Sequence, residues 1–180
     1  MCIRDSVVRY AQAIPRRPVT LHFFTAVSES SARPFNADYS RYVDGLGRAI
    51  GDVFTARGPV ASDPRYRHSV DVRATVRRLM TGDLLNIVTD RLSEDVRFDL
   101  VVITNVLPYF DDRQLALALV NVATMLRPGG FLLHNESRAG LVETAASVQL
   151  PVIHMRTAVI AGSADRPLYD TVWLHRKART

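Results

Sequence analysis

Two rhythms alternate along this chain: short continuous apolar runs, and stretches in which apolar residues return every three or four positions. The strongest run is Phe98 to Val106, which reads as a strand buried on both faces. Asp111 or Asp112 then caps a helix reaching Leu126, with Leu115, Leu119, Val122 and Leu126 on one face. The turn Arg127-Pro128-Gly129-Gly130 leads into a second apolar strand from Phe131 to Leu133. Two parallel strands joined by a crossover helix have this pattern, and ligands of such sheets bind at the carboxyl ends of the strands.

The same reading extends to the rest of the chain. Residues 7–17 predict a short helix ended by Pro15 and Pro18, and Val19 to Val27 predicts a strand rich in β-branched and aromatic residues. From Asp38 to about Arg57 the spacing of Tyr39, Val43, Leu46, Ile50, Val53 and Phe54 predicts an amphipathic helix, stopped by Gly58-Pro59. Val60 to Ala74 reads as a polar connection, Thr75 to Met80 as a short strand and Val88 to Asp95 as a helix. Leu141 to Val148 reads as a helix stopped before Pro151. Val152 to Ala161 and Leu168 to Arg176 then predict an antiparallel hairpin. The fold class expected is α/β: a three-layer α/β/α sandwich on one mostly parallel sheet, closed by that hairpin.

Composition narrows the function classes. The 180 residues suit one domain, and the net charge of +5 comes from arginines and one lysine, Lys177, scattered along the chain with one denser patch from Arg65 to Arg78. Nucleic-acid binding is therefore not expected. No apolar run approaches the roughly 18–20 residues of a membrane span. The single cysteine, Cys2, rules out an intramolecular disulfide and a cysteine-based metal site, and it fits the cytoplasm. His22, His154 and His175 lie within predicted strands without metal-ligand spacing.

Several polar residues fall at strand ends. Asn105 ends the strongest strand, where its amide can serve a ligand or cap the strand–loop junction. Pro108 and Tyr109 follow, as a pocket wall or as core. His134, Asn135 and Glu136 follow the next strand, and His134 or Glu136 is a candidate general base toward a hydroxyl or amine. Asp83, Asn105 and His134 are expected to gather at one sheet edge.

The order of strand, Gly82-Asp83-Leu84 turn, Phe98-Asp99-Leu100-Val101-Val102 strand, helix, Arg127-Pro128-Gly129-Gly130 turn and final hairpin resembles the class I S-adenosylmethionine-dependent methyltransferases. Asn105 to Asp111 with Leu126 to Gly130 is locally similar to the chemotaxis receptor protein-glutamate methyltransferases, which the region 30–70 does not match. The resemblance implies S-adenosylmethionine as cofactor and a small-molecule or protein methyl acceptor. It also implies Asp83, within Gly82-Asp83-Leu84, as acceptor from the adenine amino group, and Glu29 as partner of the ribose hydroxyls. Read without the family, Gly82-Asp83 is a surface turn and Glu29 a solvated loop charge. Methyl transfer from a sulfonium can proceed by positioning alone, so no base is compelled.

No glycine-rich turn follows any predicted strand, and Gly45-x-Gly47 falls inside the predicted amphipathic helix. The family carries such a turn after its first strand, so strand and turn are expected to be missing here. Met1 to Ser6 resembles translated adapter sequence, which leaves residues 7–180 as a partial methyltransferase domain and implies weak cofactor binding. The competing reading is a non-catalytic interaction module that keeps the fold.

Overall fold

The computed structural model describes residues 18–80, 84–92 and 96–179; the helix expected at 7–17 and the residues Gly82 and Asp83 lie outside them. The chain forms two compact units, one of residues up to Leu84 with the hairpin tip Val159–Leu168, the other of Leu85–Ala158 with Tyr169 onward. Each has its own sheet. The single sheet expected from the sequence is thus replaced by two.

The first unit is a three-stranded antiparallel sheet in the order β1-β3-β2, formed by β1 (Thr20–Phe24), β2 (Gly51–Phe54) and β3 (Tyr66–Val72). Its helix α1 covers only Ala37–Gly45, capped by Asn36, whose side chain accepts from the Asp38 backbone N–H. The expected helix to Arg57 stops here because Gly45-Leu46-Gly47 breaks it, with Gly47 at φ 77°. The chain then turns into β2, because Ile50, Val53 and Phe54 fit a strand as well as a helix. Gly51 is required in β2, since a Cβ there would lie 2.1 Å from the Asp71 carbonyl oxygen.

The central strand β3 occupies what reads in sequence as a polar connection. Its buried positions include His68 and Ser69, and each finds a distant partner: His68 Nε2 bonds the Leu46 carbonyl at 2.9 Å, and Ser69 Oγ bonds His22 Nδ1 at 2.7 Å. The strand expected at Thr75–Met80 is instead a one-turn helix, α2 (Ala74–Arg77), continued by turns to Met80.

The second unit carries the predicted crossover. β4 (Phe98–Ile103) pairs in parallel with β5 (Leu126–His134), and α3 (Asp112–Met125) connects them. Asp111 caps α3 in a reciprocal capping box: its carboxylate accepts from the Gln114 N–H at 2.8 Å, and Gln114 accepts from the Asp111 N–H at 3.1 Å. β5 starts five residues before the expected Phe131, because Leu126 already pairs with Phe98 across a register shift. Leu119 and Val122 of α3 are fully buried against Leu132 of β5, Leu141 of α4 (Leu141–Ser147) and Leu150. A leucine buried this completely contributes about 1.5–3 kcal/mol. Lys177 closes the far end of α3, its Nζ donating to the carbonyls of Ala123 at 2.6 Å and Leu126 at 2.8 Å.

β6 (Val152–Ser163) and β7 (Arg166–Arg176) are neighbours joined by Ala164-Asp165, which makes them an antiparallel hairpin longer than the sequence suggests. The strand order of this sheet is β4-β5-β7-β6, and β5 runs antiparallel to β7. The sheet is mixed, not mostly parallel. Residues 87–89 form turns rather than the start of a helix. Among the described residues, no helix is long and apolar enough to cross a membrane.

Candidate functional site

In the second unit, β4 and β5 run the same way, so their carboxyl ends meet, with Ile103 beside His134. The next residues form a polar rim. Asn105 has φ 57°, in the left-handed region that asparagine enters more readily than other side-chain-bearing residues. Its backbone N–H donates to Asn135 Oδ1 at 3.0 Å, and Asn135 Nδ2 donates back to Asn105 Oδ1 at 3.0 Å. This two-bond clasp holds the ends of both strands together. It leaves Asn105 Nδ2, on an exposed residue, without a partner among the described residues.

Arg138 ties the neighbouring loop down. Its guanidinium donates to the carbonyls of Leu107 at 3.3 Å and Pro108 at 3.2 Å and lies 3.6 Å from Asp112. Leu107 is buried beneath a short 3-10 turn, Leu107–Tyr109, while Tyr109 stands 78% exposed above it. Tyr109 is therefore not core.

Glu136 carries the open valence of the rim. Its Oε1 accepts from the Arg138 backbone N–H at 2.8 Å, whereas Oε2 is buried without a hydrogen-bond partner among the described residues. A buried acceptor left unmade costs on the order of 1–3 kcal/mol, and more when charged, so such an atom is a natural point of contact for a ligand donor.

His134 is differently placed from the sequence expectation. It is fully buried, its Nδ1 accepts from the Glu136 backbone N–H at 3.1 Å, and its Nε2 lies 2.8 Å from Nε2 of His175. Burial, reinforced by the neighbouring His175 imidazole, pushes its pKa down to about 4. Both ring nitrogens are taken, so His134 cannot receive a proton from substrate. The period-2 pattern points it inward while Asn135 and Glu136 form the rim, and of these two Glu136 has the orphaned oxygen.

The remaining expected site residues belong to the first unit or lie outside the described residues. Asp83 and Gly82 lie outside the described residues, and the segment expected as a strand before them, Thr75–Met80, is helix and turn. Leu84 is 61% exposed. Glu29 belongs to the first unit, where its carboxylate accepts from the Phe35 N–H at 3.2 Å and faces Arg67 at 3.7 Å. Among the described residues no cluster of His, Cys, Asp and Glu is arranged to hold a metal ion.

No protein-family model matches the chain, and no curated protein matches it. Among solved structures, it is similar to the N-methyltransferase NodS from Bradyrhizobium japonicum WM9, with 19% identity, a TM-score of 0.45, and coverage of 59% of this chain and 66% of NodS. It is similar to an S-adenosylmethionine-dependent methyltransferase from Methanosarcina mazei at 13% identity and TM-score 0.46, covering 56% of this chain and 68% of that one. It is also similar to a TehB-like S-adenosylmethionine-dependent methyltransferase from Corynebacterium glutamicum at 20% identity and TM-score 0.43, covering 69% and 66%. The chain thus spans just under two thirds of NodS and of the TehB-like protein.

Proposed function

We propose that this chain is the cofactor- and acceptor-facing part of an S-adenosylmethionine-dependent methyltransferase, working at the carboxyl ends of β4 and β5. One observation carries the reading. The two parallel strands end in an asparagine clasp, with an exposed amide donor at Asn105 and a buried, unpartnered carboxylate oxygen at Glu136 beside it. The motif running from Phe98 to Gly130 supports the same family.

The rim fits such a cofactor as far as its donor set goes. S-adenosylmethionine presents both hydrogen-bond donors and acceptors, and Asn105 Nδ2 and Glu136 Oε2 offer one of each. When bound, the cofactor supplies an electrophilic methyl group on a sulfonium. Asn105 would orient the cofactor. Pro108 and the exposed Tyr109 would wall the acceptor side. Glu136 Oε2 would accept a hydrogen bond from the N–H or O–H of the methyl acceptor and take its proton as the methyl group arrives. The acceptor is a small molecule or protein, no nucleic acid takes part, and the reaction belongs to the cytoplasm.

The three-layer fold is proposed with one addition: a further strand along the outer edge of β4. β4 pairs with β5 alone among the described residues, which leaves its outer edge open, while the face that bears Leu100 and Val102, 50% and 56% exposed, suits a covering layer. With that edge open, this chain holds the cofactor weakly. Saturation transfer from the chain to S-adenosylhomocysteine, observed on the ligand by NMR, tests the reading. Transfer that is lost on Asn105→Ala supports it; none at millimolar ligand overturns it.

A further inference from the structure

The buried histidine pair can be read to the level of single protons. His175 Nδ1 lies 2.7 Å from the Leu150 carbonyl, which only accepts, so Nδ1 carries a proton. His134 Nδ1 lies 3.1 Å from the Glu136 backbone N–H, which only donates, so this nitrogen is bare. The neutral His134 ring then bears its proton on Nε2, aimed 2.8 Å away at the bare Nε2 of neutral His175. The bonds run in one direction, from Glu136 N–H through both rings to Leu150 O, and all four ring nitrogens are used.

A third ring proton has no place. On His134 Nδ1 it would face the Glu136 N–H; on His175 Nε2 it would face the proton of His134. Both residues have no exposed surface. The charged side chains on the surrounding elements are Asp99 on β4, Arg127 on β5 with Glu136 and Arg138 past it, Asp112 and Arg113 on α3, Glu143 on α4, Arg156 on β6, and Arg166, Asp170, Arg176 and Lys177 at or beside β7. None of their side chains bonds either imidazole, so no carboxylate offsets a charge on the pair. The pair also joins three places distant in sequence: the end of β5, β7, and the turn at Leu150, which is further held by Arg176 N–H to Pro151 O at 3.1 Å.

We infer that His134 and His175 are a neutral, tautomer-locked latch fastening β7 and the Leu150 turn to the rim-bearing end of β5, and that acid opens it. The latch does not depend on what the rim binds, because its readouts are internal to the fold. Lowered basicity of both rings, caused first by burial, agrees with it.

The chain supplies its own reporter. Trp173 is the only tryptophan, and its ring stacks beside His134 with centroids 6.4 Å apart and planes 11° apart. Imidazole ¹⁵N spectra at neutral pH are expected to show opposite tautomers, Nε2–H on His134 and Nδ1–H on His175. On acidification, Trp173 fluorescence should hold through the ordinary histidine range near 6.5 and be quenched in a step close to pH 4. His134→Gln with His175→Gln together should abolish the step, and His154→Gln, at an exposed position, should leave it in place. Matching tautomers on the two rings, a step near 6.5, or a step that survives the double substitution would overturn the latch. If the double variant does not fold, the tautomers of the unaltered chain decide the matter.

Discussion

Asn105 separates backbone geometry from side-chain chemistry, and replacing it with alanine and with glycine measures each. Both variants keep the Asn105 N–H donating to Asn135 Oδ1, and both lose the bond that Asn105 Oδ1 accepts from Asn135 Nδ2. That lost bond is worth about 1 kcal/mol. Alanine must also adopt φ 57°, where a side chain with no local hydrogen bond costs roughly 1–2 kcal/mol more. Glycine enters that region without the penalty, though it gives the unfolded chain back about 0.5–1 kcal/mol of entropy. Relief of the strain that asparagine itself carries offsets part of that loss. Asn105→Ala should therefore destabilise by about 2–3 kcal/mol and Asn105→Gly by about 1 kcal/mol. Urea denaturation followed by circular dichroism reads the difference directly. Equal losses for the two variants would refute the argument that the left-handed conformation matters at this strand end.

Two further outcomes follow from buried groups. The pKa values of His134 and His175 are lowered on folding, so the unfolded chain binds protons that the folded chain refuses; stability is full above about 6.5 and falls as pH drops toward 4. For His134 alone the fall amounts to roughly 3 kcal/mol, and denaturation midpoints that do not change between neutral pH and pH 4 would contradict it. Lys177→Met should cost about 1–3 kcal/mol, because the ammonium closes two carbonyls at the end of α3 and the thioether cannot. An unchanged thermal midpoint would show those contacts to be inert.

The β4–α3–β5 crossover is legible in the sequence because each level agrees: a continuous apolar run, a helical stripe, and Asp111 with Gln114 as a capping box. β3 is not, because two of its buried positions are His68 and Ser69, polar residues whose partners His22 and Leu46 are far off in the chain. Ile50, Val53 and Phe54 mislead differently, since their spacing serves helix and strand alike until Gly47 takes φ 77°. At the site, Asn105 and Glu136 are placed by strand ends that the pattern marks. The inward turn of His134 depends on His175, 41 residues away, which no local pattern encodes.

The central claim is that the carboxyl ends of β4 and β5 receive an S-adenosylmethionine-type ligand. Titrating S-adenosylhomocysteine into the ¹⁵N-labelled chain tests it most directly. The account predicts saturable shifts of the amides of Asn105, Val106, Leu107, Asn135 and Glu136, with those of Met125 and Lys177 at the far end of α3 unmoved. Amides at this rim that stay still at millimolar ligand, or shifts confined to another part of the chain, would contradict it.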